Sequence, residues 1–156
     1  MKIKLLLTGK TTDSNIKSLM ADYEKRLTHY INFEIVVLDN SSIKADSEEK
    51  IKTKEGELIL KKIATGDHVV LLDEQGKTFT SIEFSKEINQ WMNQSRKSIV
   101  FVVGGAYGFS EEVKKRSNGF ISLSKMTFSH QIVRAIFLEQ IYRAFTILNN
   151  EPYHHQ

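Results

Sequence analysis

Two hydrophobic periods alternate along the chain. Continuous apolar runs occur at residues 3–7 (IKLLL), 33–38 (FEIVVL), 68–72 (HVVLL), 98–103 (SIVFVV) and 119–123 (GFISL). Short runs of this composition predict strands. The run at 98–103 has no polar alternation, the mark of a strand buried on both faces. Between the runs the period changes. Ile16, Leu19, Met20, Tyr23, Leu27 and Tyr30 recur at steps of three and four and predict an amphipathic helix. Ser47, followed by Glu48 and Glu49, predicts a capped helix running to about Ala64. Thr80 and Glu83 have capping-box spacing for a helix to about Asn93, and Ser110, Glu111 and Glu112 open a short one. EQGK, residues 74–77, reads as a turn.

Strands alternating with helices predict an α/β domain with a mainly parallel sheet flanked by helices. The one proline is Pro152 and there is no repeat or low-complexity tract, so residues 1–156 read as a single domain. The final helix has an unusual pattern. Val133, Ile136, Phe137, Ile141, Ala144 and Leu148 make one apolar face. Ala135, Leu138, Tyr142 and Phe145 extend it round the other side, among Gln131, Arg134, Glu139 and Arg143. A helix apolar nearly all round is buried nearly all round. A last helix is expected at the periphery, so the pattern predicts a covering partner, most simply a second copy in a homodimer.

Composition narrows the chemistry. With no cysteine there is no disulfide framework, thiolate metal site or cysteine nucleophile. No apolar run approaches the roughly 18–20 residues of a membrane span. The opening MKIKLLLTGK is strand-like rather than a signal peptide. A cytoplasmic location is expected. The net charge of +3 favours an anionic partner such as nucleic acid.

Three stretches carry candidate chemistry. In VVGGAYGFSEE a buried strand ends in glycines before a capped helix, and ligands of open α/β sheets sit outside strand carboxyl ends. Gly104, Gly105 and Gly108 permit positive φ and close backbone approach. The G-G-x-x-G spacing differs from the dinucleotide fingerprint. In VVLLDEQGK, Leu72 ends a strand and can wall an apolar pocket. The polar stretch SLSKMTF precedes the last helix. Its backbone groups can hold a polar ligand such as an adenine ring and ribose, with Met126 and Phe128 against the apolar parts. His130 follows it. Glu139 and Arg143 form an i,i+4 pair in the favourable order, and Tyr153 and His154 bring proton-transfer groups in the tail.

SKMTFSHQIVRAIFLEQIYRAF, with FVVGGAYGF upstream and EPYH at the end, resembles the ribosomal RNA large subunit methyltransferase H family. The likeness extends to TGK, YEKRL, KEGELIL and EQGK. That family comprises minimal SPOUT-class methyltransferases. The resemblance implies a parallel α/β sheet whose C-terminal part threads a trefoil knot, an exception to the unknotted rule. It implies an S-adenosylmethionine site at Leu72, Gly104, Leu123, Ser124, Lys125, Met126, Thr127 and Phe128. It also implies a homodimer packed through the last helix and no metal. The expected reaction is methylation of N3 of a pseudouridine in large-subunit rRNA on the assembled ribosome. His154 and His130 are candidate bases, and Tyr153 and Arg143 orienting or charge-stabilising groups. Lys10, Lys77, Lys125 and Arg134 are candidate phosphate contacts. Ser129-His130-Gln131 stands where the family commonly has Pro-His-Gln, and serine is a competent N-cap there. The alternatives are methylation of another RNA base and a non-catalytic ribosome-binding role.

Overall fold

The computed structural model describes residues 1–155. The elements run β1 (Lys2–Thr8), α1 (Ser14–Leu27), β2 (Asn32–Leu38), α2 (Glu48–Lys61), β3 (His68–Lys77), α3 (Ser81–Met92), β4 (Ser98–Val103), α4 (Glu111–Arg116), β5 (Gly119–Ile121) and α5 (Ile132–Leu148). The five strands form one sheet in the order β2-β1-β4-β3-β5, with every pairing parallel. The alternating pattern expected from the sequence is therefore the architecture.

Strand side chains divide between two cores by the period of two. Ile3, Leu5 and Leu7 of β1 and Ile99, Phe101 and Val103 of β4 face the layer holding α1, α3 and α5. Leu6, Val100 and Val102 face the opposite core with Ile59 and Val113 of α2 and α4. All six β4 residues are buried, which is why its sequence shows no alternation. Phe101 packs edge-on against Phe137 of α5, centroids 4.9 Å apart. Complete burial of such rings contributes roughly 1.5–3 kcal/mol each.

The caps predicted at helix starts form. Ser47 Oγ accepts from Lys50 N, and Thr80 and Glu83 close a reciprocal capping box. The long helix is also secured at its start: Ser129 Oγ accepts from Ile132 N at 3.2 Å and Ser129 O from Val133 N at 3.1 Å. Ser129 is not the N-cap expected from the sequence, a position that Gln131 holds without a side-chain cap bond, but its two bonds tie down the first turn.

Two expectations differ from the structure. EQGK is not a turn but the continuation of β3, which shifts register against β5 between Leu72 and Lys77. Gly76 makes this possible, because a Cβ there would lie 2.6 Å from the Ile121 backbone N and C. Nor is α5 peripheral. It packs between α1 and α3 on one face of the sheet, and Phe137, Leu138, Ile141 and Ala144 are inaccessible to solvent within one chain. The all-round apolar pattern is satisfied internally and does not by itself require a partner.

Candidate active site

The site forms where the chain crosses the carboxyl ends of the sheet. After β5, residues 122–131 adopt neither helix nor strand. Ser122 N bonds to Lys77 O at 3.0 Å, and Thr127 Oγ1 to Glu74 at 3.3 Å. The segment reaches the loop between β1 and α1 at Gln131, whose side-chain oxygen accepts from Thr12 N at 2.8 Å. Backbone groups in 122–131 are not consumed by a regular ladder, so they are suited to bonding a ligand.

Between this segment and the ends of β3 and β4 lies a cavity of about 660 Å³. Seven of the eight cofactor-contact candidates line it: Leu72, Gly104, Leu123, Ser124, Met126, Thr127 and Phe128. Lys125 is exposed and is not among the lining residues. Val103, Phe109, Ile121 and Val133 complete the apolar wall, and Asp73 and Glu74 add carboxylates at the β3 side. These residues adjoin the quoted motifs in sequence; nothing in their spacing distinguishes them from core or turn residues. A Ser122 Oγ–Ser124 O bond of 2.9 Å and a Met126 N–Ser124 Oγ bond of 2.9 Å shape the segment. Met126 is 76% exposed.

The glycine turn works differently from the sequence expectation. Only Gly108 of the three has positive φ, at 83°. Gly104 and Gly105 lie in close contact with neighbouring side chains. A Cβ on Gly104 would meet the Phe109 ring at 3.0 Å, and one on Gly105 would meet the Glu55 carboxylate at 2.6 Å.

The four catalytic candidates do not converge within one chain. His130 lines the cavity. Arg143 follows Ile132 by eleven residues, so it lies roughly 16 Å further along α5 at 1.5 Å per residue. There the tail packs against the helix. Glu139 Oε1 accepts from Arg143 Nε at 3.0 Å, from Arg143 Nη2 at 2.6 Å and from the Tyr153 hydroxyl at 3.1 Å. Arg143 Nη1 contacts His154 Nδ1 at 3.0 Å. Guanidinium only donates, so Nδ1 accepts and the neutral ring carries its proton on Nε2. Burial, aided by Tyr23 and the Glu139 carboxylate, raises the Tyr153 pKa, so its phenol stays protonated and acts as a donor.

Arg134, a candidate phosphate contact, is instead 2% exposed. It donates to Thr8 O at 3.0 Å, Gly9 O at 3.0 Å and Thr11 Oγ1 at 2.8 Å, and it clamps the start of α5 to the end of β1. Burial lowers its pKa, as desolvation of a cation must. Lys10 and Lys77 are exposed, as a phosphate contact requires.

A family model described as "Predicted SPOUT methyltransferase" matches residues 1–154. The chain belongs to the SPOUT methyltransferase family. Among curated relatives, "Ribosomal RNA large subunit methyltransferase H" of Flavobacterium psychrophilum is 55% identical and that of Parabacteroides distasonis 57%, each alignment covering 100% of both chains. The protein of the same name from Cytophaga hutchinsonii is 46% identical over 99% of this chain and 100% of its own. As a SPOUT methyltransferase the chain is an enzyme, with the α/β parallel sheet its sequence leads one to expect. A C-terminal knot is consistent with the path of residues 122–131. No helix among the described residues is long and apolar enough to cross a membrane, and no His/Cys/Asp/Glu cluster among them can hold a metal.

Proposed function

We propose that the chain is an S-adenosylmethionine-dependent rRNA methyltransferase acting at N3 of a pseudouridine in the large ribosomal subunit, in the cytoplasm and on the assembled ribosome. The observation that carries the reading is the cavity between the glycine turn and residues 122–131, in a chain matched along its length by proteins of that name. Its size falls in the range of small-ligand sites, about 300–1,000 Å³. Apolar Leu72, Val103, Leu123 and Val133 suit the faces of an adenine ring. The irregular backbone and Ser124 suit its polar edge and the ribose, so the residues fit this cofactor. When bound, it supplies an electrophilic methyl group on a sulfonium.

The protein's part is alignment. The walls orient the cofactor and keep water from it, and His130 stands at the edge to accept the proton a ring nitrogen must lose. A homodimer is part of the proposal. Met126, Phe128 and Ile132 leave apolar surface exposed beside the start of α5. If Arg143, Tyr153 and His154 act on substrate, their position along α5 requires the cavity of a second copy. The SPOUT unit is taken as one domain over residues 1–156.

The test is calorimetric titration of the purified protein with S-adenosylmethionine, followed by methylation of intact ribosomes with the product nucleoside identified by mass. Saturable binding and a methylated pseudouridine are expected. No binding sinks the cofactor assignment. A methyl group on another base moves the chain to a different RNA substrate within the same class.

A further inference from the structure

A second cavity, of about 490 Å³, adjoins the first and shares Gly105, Ala106 and His130 with it. Three buried polar atoms on its lining residues have no hydrogen-bond partner among the described residues: Thr8 Oγ1, Glu55 Oε1 and Arg134 Nε. Glu55 is 5% exposed, and its other oxygen is held, because Asn40 Nδ2 donates to Oε2 at 2.8 Å. Gly105 leaves room for this carboxylate, since a Cβ there would lie 2.6 Å from Oε1. Unpaired buried polar atoms are costly, and three around one cavity mark a ligand that pairs them. The set holds an acceptor, a donor and a hydroxyl. It calls for a group that both donates and accepts, which a ligand hydroxyl does through one oxygen. Charge narrows the choice. Asp39 and Glu55 both line the cavity, so a phosphate is repelled from its interior, while Lys10 is exposed at its edge to meet one. A neutral hydroxyl next to a phosphate is the chemistry of an RNA backbone.

We propose that this second cavity seats the ribose of the acceptor nucleotide, with its 2′-hydroxyl donating to Glu55 Oε1, and that Glu55 thereby selects RNA over DNA. This deepens the methyltransferase reading and rests on it. A hydroxyl bonded to a carboxylate is charge-assisted and roughly twice as strong as a neutral pair. Deoxyribose has no such donor and leaves Oε1 unpaired, and the 2′-hydroxyl is the group by which a protein tells the two sugars apart. Thr8 Oγ1 and Arg134 Nε supply donors for the lone pairs of sugar oxygens. Glu55 touches the sugar and not the reacting atoms. The base passes the shared wall at Gly105 and Ala106 towards the cofactor cavity, and its ring N–H stays free for His130, which lines both cavities.

The test titrates the isotope-labelled full chain with pseudouridine nucleoside and its 2′-deoxy and 2′-deoxy-2′-fluoro analogues, followed by amide NMR shifts, with S-adenosylmethionine calorimetry on the same samples. Pseudouridine is expected to shift Gly9, Asn40 and Ser41, which line the second cavity and not the first. The 2′-deoxy analogue should bind about tenfold more weakly, the factor for one lost bond to a buried charge. Fluorine keeps the size of the hydroxyl without its proton, so the fluoro analogue should bind no better than the deoxy one. In E55Q, Asn40 takes the amide carbonyl and an N–H faces the sugar, so the preference for ribose should shrink to about threefold or less while cofactor binding persists. The wild-type comparison of the three nucleosides decides the matter if E55Q fails to fold. Shifts elsewhere, equal affinity for the deoxy analogue, binding restored by fluorine, or wild-type preference in a folded E55Q would overturn the proposal. A chain that binds S-adenosylmethionine but shows no nucleoside shift in this cavity overturns this inference alone. One that binds neither overturns the methyltransferase reading as well.

Discussion

Arg134→Ala separates a structural clamp from an RNA contact. The guanidinium makes three charge-assisted bonds, to Thr8 O, Gly9 O and Thr11 Oγ1. Each such bond contributes about 1.5–3 kcal/mol, so the gross loss is about 5–9 kcal/mol. Removing a buried cation recovers several kcal/mol of desolvation, and a net destabilisation of about 3 kcal/mol remains. For a chain of this length each kcal/mol moves Tm by roughly 2–4 °C, so thermal denaturation followed by circular dichroism should show a fall of roughly 6–12 °C. Arg134→Lys keeps the charge but not the planar fork, and should fall about half as far. An alanine variant melting within about 2 °C of wild type, yet binding RNA with a shallower salt dependence, would refute the clamp and return Arg134 to the phosphate contacts.

Three further outcomes follow from particular contacts. His68 lies against Trp91, centroids 4.9 Å apart, and burial, reinforced by Arg96, holds its pKa below the ordinary imidazole value. The unfolded chain then takes up this proton first as pH falls through about 6.5. The stability His68 confers is therefore complete above that pH and declines below it, as urea midpoints at about pH 7.5 and about pH 5.5 should show, while His68→Phe should flatten this part of the dependence. Gly76→Ala places a methyl against unyielding Ile121 backbone and should cost about 1–3 kcal/mol in denaturant melts, with weaker cofactor binding because Ile121 lines the cavity. Glu139→Gln loosens the partly exposed Arg143–Tyr153 cluster, costing about 1 kcal/mol or less. Ribosome methylation should fall while S-adenosylmethionine affinity holds, and equal loss of both would mean the tail cluster only supports the fold.

Much of the architecture is legible in local pattern, because strand and helix periods are properties of adjacent residues. The β4 run, the Ser47 cap and the Thr80–Glu83 box are all found where the pattern puts them. The motifs also mark most of the cavity proposed for the cofactor, since residues 122–130 and the glycine turn are each contiguous in the chain. What local pattern cannot carry is which distant segments meet. EQGK has turn composition, and only the approach of Ile121 makes Gly76 a strand residue. The glycines of the turn answer to the nearby Phe109 ring and to Glu55, about a third of the chain away. Arg134 has the sequence of a surface cation until the end of β1 supplies carbonyls to hold it. The apolar circumference of α5 predicts burial correctly, but its cover is α1, α3 and the sheet. A sequence records how much surface a helix must hide; only the packed chain decides what hides it, because burial energy is nearly indifferent to the identity of the neighbour.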